Sequence, residues 1–186
     1  YVFRDVEPGN GYRVAVAGLA TSKPLTVTDA ATTPTNSLYS KQELDDGYGY
    51  LTTRDGTLLS VDVSLPGPAD KGPYPVLLEY SGYDPSNPTA SLNPFQIIAN
   101  LQGYAYVGVN MRGTGCSGGS FNFFEQIQSL DGYDAIEAML DAAERHARDI
   151  VSKWQDGEYL GEAVLDDDGF DKTNIVIRAR VTKQGS

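Results

Sequence analysis

The sequence predicts an α/β fold in which a parallel sheet carries flanking helices. Two stretches, "YPVLLEYSG" at 74–82 and "YAYVGVNMRG" at 104–113, are continuous apolar runs, as expected for strands that are buried on both faces. Between them, "NPFQIIANLQGY" predicts a short helix that ends at Gly103. A long stripe at helical spacing follows the second run. Strand, helix, strand and helix in this order begin a parallel sheet.

The first 30 residues predict only β-structure. "GYRVAVAG" places Tyr12, Val14 and Val16 on one face of a strand, and "PLTVTD" at 24–29 predicts a second strand. This spacing resembles the last strands of a fibronectin type III module, so 1–30 is predicted to be a partial β-sandwich-like segment. The polar residues 31–37 are predicted to be a linker.

A domain at 38–154 is predicted to contain the sheet. "GYLTTRDGTLLSVDVSLPG" predicts a hairpin around Asp55-Gly56, with a strand at 58–64. Strands at 75–80 and 104–110 are expected to be parallel neighbours, and a helix from Tyr133 to Trp154 is expected to cover one face. The apolar stripe of this helix consists of Tyr133, Ile136, Leu140, Ala143, Ala147, Ile150 and Trp154.

The region 155–186 predicts a β-rich tail of two strands around an acidic turn. Its second strand, at 174–182, is predicted to fill the open edge of the sheet, which would otherwise allow self-association. In the turn, Asp166, Asp167 and Asp168 have the carboxylates that suit Ca²⁺ or Mg²⁺. Their spacing does not match an EF-hand, and an ordinary solvated turn is the favoured interpretation.

Composition excludes several functional classes. The net charge of −11 argues against nucleic acid as a partner, because phosphate binding needs clustered Lys and Arg. No apolar run reaches the length of a membrane span, and the N-terminus has no signal-peptide pattern. The single cysteine excludes an internal disulfide and a cysteine zinc site, and the single histidine limits transition-metal chemistry. No phosphate loop or dinucleotide fingerprint is present, so neither a cofactor nor a metal is expected.

One pentapeptide, 115–119, has the form G-x-S-x-G that surrounds the nucleophile of serine hydrolases. Such a nucleophile needs a histidine to take its proton, and the only candidate for Ser117 is His146, inside the long helix. That helix is expected to pack against the sheet, away from loops at its active edge. Ser117 is therefore interpreted as a residue of a glycine-rich turn.

Several blocks in order carry a family resemblance: "YLTTRDGTLLSVDVSLP", "PVLLEYSGYDPSNP", "GYAYVGVNMRGTGCSGGSF" and "QSLDGYDAIEAM". They resemble the N-terminal half of the Xaa-Pro dipeptidyl-peptidase and cocaine-esterase-like family of α/β-hydrolases, over 38–139. In that family the R-G-x-G-x-S-G-G segment follows the fourth strand and is not the nucleophile. The catalytic serine comes one strand later, and the acid and histidine come later still.

The resemblance implies a partial α/β-hydrolase-type sheet with flanking helices and one active-site residue, Tyr83. A tyrosine at this position donates its hydroxyl to the oxyanion hole of the family, whereas Arg112 is interpreted as structural. The chain is then a truncated serine-hydrolase domain that lacks nucleophile and catalytic histidine and is predicted to be inactive alone. The resemblance implies a small peptide or ester as substrate, and family members are often secreted.

The tail has a different resemblance. "LDAAERHARDIVSKWQDGEYLGEAVLDDDG" and "IVIRARVTKQGS", at 140–186, resemble a fragment of the hydantoinase B and acetone carboxylase α-subunit family. The alternative to a truncated hydrolase is therefore a non-catalytic α/β scaffold, or a chimeric or designed chain with a hydantoinase B-like tail.

The only thiol, Cys116, lies among glycines that cannot shield it. It is predicted to be free and accessible, and to form disulfide-linked dimers under oxidising conditions. The alternative is a thiol buried beneath the 104–110 strand, since free cysteine is commonly buried.

Overall fold

A computed structural model describes residues 3, 6–89, 93–123, 125–167, 169–171 and 173–185. Its strands and α-helices follow in chain order: β1 (Gly9–Tyr12), β2 (Leu25–Val27), β3 (Gly47–Thr52), β4 (Leu58–Ser64), β5 (Val76–Ser81), α1 (Pro94–Leu101), β6 (Ala105–Asn110), α2 (Gln126–Ser152), β7 (Gly157–Asp167) and β8 (Thr173–Lys183). The fold is α/β, as the sequence predicts.

The central sheet has the strand order β3-β4-β6-β5. The predicted hairpin at Asp55-Gly56 is confirmed, because β3 and β4 are antiparallel partners on either side of it. The predicted parallel pair is confirmed as well, with Val76 opposite Ala105 and Ser81 opposite Asn110. All six residues of β6 are buried, as expected for a strand with a neighbour on each side.

Helix α1 confirms the short helix between the two parallel strands. The side chain of Asn93 caps it by accepting a hydrogen bond from the Phe95 N–H at 2.9 Å, and Pro94 occupies the first turn, where its missing N–H costs nothing. Helix α2 begins at Gln126, seven residues before the predicted start at Tyr133. A capping box between Glu125 and Gln128 satisfies its first backbone groups, which explains the earlier start.

The buried face of α2 differs from the prediction. Tyr133, Ile136 and Leu140, from the predicted apolar stripe, remain 40%, 45% and 59% exposed. The residues that the helix buries are instead small or polar: Gln128, Asp131, Asp134, Ala135 and Ala138. The two aspartates on this face bind the guanidinium groups of Arg54 and Arg112, which lie in the loops after β3 and β6, and these bonds explain the orientation of the helix.

The hydrophobic core lies between the central sheet and α2. Leu59, Val61 and Val109 of the sheet are at most 2% exposed, and Ala135 and Ala138 of α2 pack against them. Alanines at these two positions let the helix approach the sheet closely. In the part of the chain that the structure describes, neither helix combines the length and apolar character needed to cross a bilayer.

In the N-terminal segment, the first strand lies earlier than predicted. Gly9–Tyr12 forms β1 opposite β2, whereas 13–16, predicted to be the strand, lie in a loop. That loop is closed by Ser22, whose hydroxyl and N–H both bind Val14, and by a bond from the Leu19 N–H to the Val16 carbonyl. Two strands of three and four residues do not confirm a fibronectin-like module.

The tail forms the two predicted strands, β7 and β8, as an antiparallel hairpin. The prediction that 174–182 fills the edge of the central sheet is wrong, because β8 pairs only with β7 in a separate two-stranded sheet. β5 therefore remains the last strand of the central sheet, and the expectation that it is buried on both faces is wrong, because an edge strand leaves Val76 and Leu77 each 43% exposed. Self-association through its edge stays a prediction.

Candidate active site

The two parallel strands β5 and β6 end at one edge of the sheet, called here the carboxyl edge. Ser81 and Asn110 are register partners there, so the loops 82–89 and 111–121 both begin at this edge. Open α/β sheets bind their ligands at the carboxyl ends of strands. The topology thus brings Tyr83 and Ser117, the two candidate residues of the sequence, to the same edge.

Tyr83 projects into solvent and is 95% exposed. Its backbone N–H donates to the Ser81 hydroxyl at 2.9 Å, so the phenolic O–H is the donor that this residue offers to a ligand. The next residue, Asp84, has a positive φ of 64°. Its carboxylate accepts hydrogen bonds from the side-chain amides of Asn110 at 3.0 Å and Asn87 at 2.6 Å.

Asn110 connects the two loops. It is fully buried, and its side-chain oxygen accepts a hydrogen bond from the Ser86 N–H at 2.8 Å while its amide group donates to Asp84. Loop 82–89 is therefore fixed on both sides of Asp84. The backbone that carries Tyr83 is thus held in place, and its side chain extends from this loop into solvent.

The hydroxyl of Ser117 is engaged in structural hydrogen bonds. It donates to the Asn110 carbonyl at 2.8 Å and accepts from the Ser60 backbone N–H at 2.9 Å. These bonds join the turn to β4 and to the end of β6. The hydroxyl hydrogen that a general base would remove is directed at a backbone carbonyl.

The glycines around Ser117 are required by the backbone. Gly113 and Gly115 have φ values of +71° and +51°, in the left-handed region that favours glycine. A Cβ on Gly113 would lie 2.1 Å from the Phe121 nitrogen, and one on Gly115 would lie 1.8 Å from the Asn110 amide nitrogen. The turn can therefore form only with glycine at these positions.

His146 lies at the opposite end of the sheet. Its Nε2 is 3.0 Å from where a Cβ on Gly72 would be, and it shares a cavity with Val76 and Ala105, the first residues of β5 and β6. Along the six-residue strands this end is roughly 17 Å from the carboxyl edge. The structure therefore does not bring His146 and Ser117 together.

Arg112 forms a buried ion-pair network beneath the carboxyl edge. Its guanidinium donates twice to Asp131 of α2, both at 2.6 Å, and once to Asp55 of the β-hairpin turn at 2.9 Å. Burial disfavours its charge, but the hydrogen bonds from Arg112 to Asp131 and Asp55 outweigh burial and raise the pKa of Arg112 above its ordinary value. The structural interpretation of Arg112 fits these contacts.

A second network lies one helical turn away. Asp134 is fully buried and accepts hydrogen bonds from the Arg54 backbone N–H and guanidinium and from the Tyr39 hydroxyl, each at 2.8 Å. Together with burial, this contact raises the pKa of Tyr39 above its usual range. Sequence reasoning assigned no role to Asp131 or Asp134. The available signal was their i, i+3 spacing, which places both on one helix face.

Cys116 is free and exposed, which confirms the accessible thiol and excludes the alternative of a buried one. Disulfide-linked dimers stay a prediction. In the acidic turn of the tail, Asp168 lies outside the described residues. Among the residues that are described, no three His, Cys, Asp or Glu side chains gather as a metal site would require.

Comparisons with known proteins locate this sheet in a family. The profile of the X-Pro dipeptidyl-peptidase family (S15 family) matches residues 55–158, from the turn of the β3–β4 hairpin to the beginning of the tail. A search of curated proteins found no match. The tail resemblance to the hydantoinase B family is not supported by these comparisons and stays a prediction.

A solved structure of an esterase from Pyrococcus furiosus is similar at 19% identity, with a TM-score of 0.42. The similarity covers 62% of this chain and 42% of the esterase chain. The present chain therefore spans less than half the length of that protein.

Proposed function

This chain belongs to the X-Pro dipeptidyl-peptidase (S15) family, and from that premise we propose that it supplies the oxyanion side of a serine-hydrolase active site and has no nucleophile of its own. The proposal rests on the different contacts of two side-chain hydroxyls at the carboxyl edge. The Tyr83 hydroxyl is exposed on a fixed loop, whereas the Ser117 hydroxyl is engaged on both its donor and its acceptor sides.

The proposed role of Tyr83 is to stabilise charge. When a nucleophile attacks an ester or amide carbonyl, the π electrons move to the carbonyl oxygen and a negative charge develops there. A hydroxyl donor that is already in position stabilises this oxyanion, and losing one such donor typically costs about 10²- to 10³-fold in rate. The substrates that the family resemblance implies, small X-Pro peptides and esters, both have such a carbonyl.

Ser117 is proposed to have a structural role. Its hydroxyl links β4 to the end of β6, and no histidine lies near it among the described residues, since the one histidine of the sequence is at the other end of the sheet. A serine without a base to take its proton is a weak nucleophile. The chain alone is therefore expected to hydrolyse neither esters nor X-Pro peptides.

A fluorophosphonate probe tests the role of Ser117. We expect no labelling of the wild-type chain under conditions that label an intact serine hydrolase in the same reaction. Specific labelling that disappears in Ser117→Ala would overturn the proposal. The same substitution should lower the free energy of unfolding by about 1–3 kcal/mol, because it leaves the Ser60 N–H and the Asn110 carbonyl without their partner.

Binding of a product dipeptide tests the role of Tyr83. An X-Pro dipeptide titrated into the chain should bind the wild type about three- to tenfold more tightly than Tyr83→Phe, because the variant lacks one hydrogen-bond donor. Tyr104→Phe is the matched control, since Tyr104 is also exposed but precedes β6 at the opposite end. Equal loss in both variants would contradict the assignment.

The second candidate function is a non-catalytic α/β scaffold. It is favoured by the placement of the only histidine beside Gly72, remote from the carboxyl edge. On this proposal the dipeptide does not bind the wild type at all. The separate sheet of the tail is the observation that favours a chimeric chain with a hydantoinase B-like tail as a further alternative.

A further inference from the structure

A cavity of about 460 Å³ opens at the amino ends of β5 and β6, on the side of the sheet opposite to the carboxyl edge. It lies between α2, the segment 43–46 and the loop that precedes β5. Pockets that bind small molecules typically enclose about 300–1,000 Å³. The cavity is thus of ligand size, and no residue of the proposed oxyanion side contributes to it.

The interior of the cavity is apolar. Its lining includes Val63 and Val107 of the sheet, Leu65 just after β4, and Met139 and Ala142 of α2. These side chains offer no hydrogen-bonding group to a ligand. An occupant must therefore place an apolar body against them, since burying an unpaired polar group there would be unfavourable.

The mouth of the cavity is acidic. Four carboxylates line it, those of Glu43, Asp45, Asp46 and Asp149, and the only permanent cation among the lining residues is Arg145. That guanidinium is already engaged by Asp141 at 3.0 Å and by a backbone carbonyl at 2.6 Å.

The four carboxylates are not all neutralised by contacts within the chain. Asp149 pairs with Lys153, and Asp46 accepts a bond from the Leu65 N–H. Within the described part of the chain, Glu43 and Asp45 have no hydrogen-bonded or ionic partner. The carboxylates of Glu43 and Asp45 are therefore available to a cationic ligand.

The arrangement of the carboxylates does not favour a chelated metal ion as the occupant. A bound Ca²⁺ or Mg²⁺ needs several oxygens converging on one point, whereas the described acidic side chains nowhere form such a group. Separated carboxylates at the entrance of an apolar cavity instead fit a ligand with a single positive charge attached to a hydrocarbon body.

We propose that this cavity binds an organic cation with an apolar body, such as an aryl-alkyl ammonium, with its hydrocarbon part on Val63, Val107 and Met139 and its ammonium between Glu43 and Asp45. Tyr74 and His146 also line the cavity. The site is distinct from the proposed oxyanion side and does not depend on it.

Three probes of one shape test the charge requirement: phenylbutylammonium, phenylbutanol and phenylbutanoate, each titrated into the full chain by calorimetry. We expect saturable binding of the ammonium, with an affinity about tenfold above that of the alcohol, and still weaker binding of the carboxylate. Raising the ionic strength should weaken only the ammonium complex, because salt screens its attraction to exposed carboxylates.

Two sets of variants locate the site. The double variant Glu43→Gln, Asp45→Asn should reduce ammonium affinity to that of the alcohol, whereas Glu158→Gln, Glu162→Gln on the tail removes the same charge and should change nothing. Ala142→Leu fills the cavity and should weaken ammonium and alcohol alike. The urea midpoint of each variant shows whether it is folded.

Equal affinity for ammonium and alcohol would overturn the proposal, as would preference for the carboxylate or absence of saturable binding. An equal effect of the tail variants would also overturn it, because the attraction would then come from net charge. If sedimentation shows dimers that the probe dissociates, a second copy of the chain occupies the cavity and the proposal is wrong.

Discussion

The central sheet with α2 and the tail hairpin are stabilised in opposite ways. In the sheet, fully buried carboxylates of α2 bind arginines that lie 19 and 80 residues earlier in the chain. In the tail, β7 and β8 are 11-residue strands whose cross-strand pairs Arg178–Glu162 and Arg180–Glu158 are exposed, with Arg178 and Glu162 at 75% and 56%. Both regions have regular secondary structure, but only the first has a core.

The difference shows how little stability strand pairing provides without a buried core. An isolated two-stranded hairpin is marginally stable in water, because its backbone bonds replace bonds to solvent and few side chains are buried. The central strands gain stability from α2, which covers one face of their sheet and supplies charged partners to the arginines. Stability in this chain therefore follows long-range contacts more closely than strand length.

Among the changes that test this contrast, Asp131→Ala should lower the free energy of unfolding the most. It leaves the buried guanidinium of Arg112 with only the partly exposed Asp55, and breaking a buried pair typically costs about 3–5 kcal/mol. Urea denaturation followed by circular dichroism measures the change. Glu144→Ala is the control on the same helix, since the exposed Glu144–Arg148 pair should contribute at most about 1 kcal/mol. Similar losses in both variants would contradict the proposed contrast.

Acid should weaken the sheet through Asp55. Burial raises the pKa of this carboxyl, but hydrogen bonds from Arg112, Thr53 and Thr57 outweigh burial and hold it below its usual value. A lowered folded-state pKa contributes stability that is complete above about pH 4 and is lost as pH falls through the folded value. The urea midpoint of the wild type should fall more between about pH 6 and about pH 3 than that of Asp55→Asn. Parallel curves would show that Asp55 is not linked to folding.

Arg178→Ala should have the smallest effect. The variant removes one exposed cross-strand pair with Glu162, which is expected to contribute less than about 1 kcal/mol and to be screened by salt. Thermal unfolding at low and high salt measures it, with Arg178→Lys as the control that retains the charge. A loss comparable to that of Asp131→Ala would mean that the tail has a buried partner and that the contrast is wrong.

Local patterns predict the strands of the central sheet and α1, because these elements depend on nearby residues. The turn at Asp55-Gly56 and the apolar runs of β5 and β6 specify pairing that the structure confirms. The carboxyl edge follows from the same topology, since parallel strands end together. Tyr83 as an oxyanion donor stays a prediction that rests on family resemblance.

Periodicity fails for the orientation of α2. A stripe of apolar residues normally marks the buried face, but here Leu140 is exposed while Asp131 and Asp134 are buried. The cause is the placement of Arg54 and Arg112 by the sheet, which no window along the helix contains. The hydrogen bond between Ser60 and Ser117 could not be predicted from the local sequence for the same reason, because Ser60 lies 57 residues earlier in the chain.

The glycines at 115 and 119, which are the two glycines of the G-x-S-x-G pentapeptide, have a consequence for pattern searches. A nucleophile elbow needs glycine because its turn is too tight for side chains, and the turn after β6 needs glycine for the same steric reason. Two unrelated steric requirements of the backbone thus produce the same five-residue motif, G-x-S-x-G. Matches to G-x-S-x-G that contain no nucleophile should then be concentrated in tight turns after buried strands. A true nucleophile elbow has the same location, so the location does not distinguish the two. The direction of the serine hydroxyl separates the two cases.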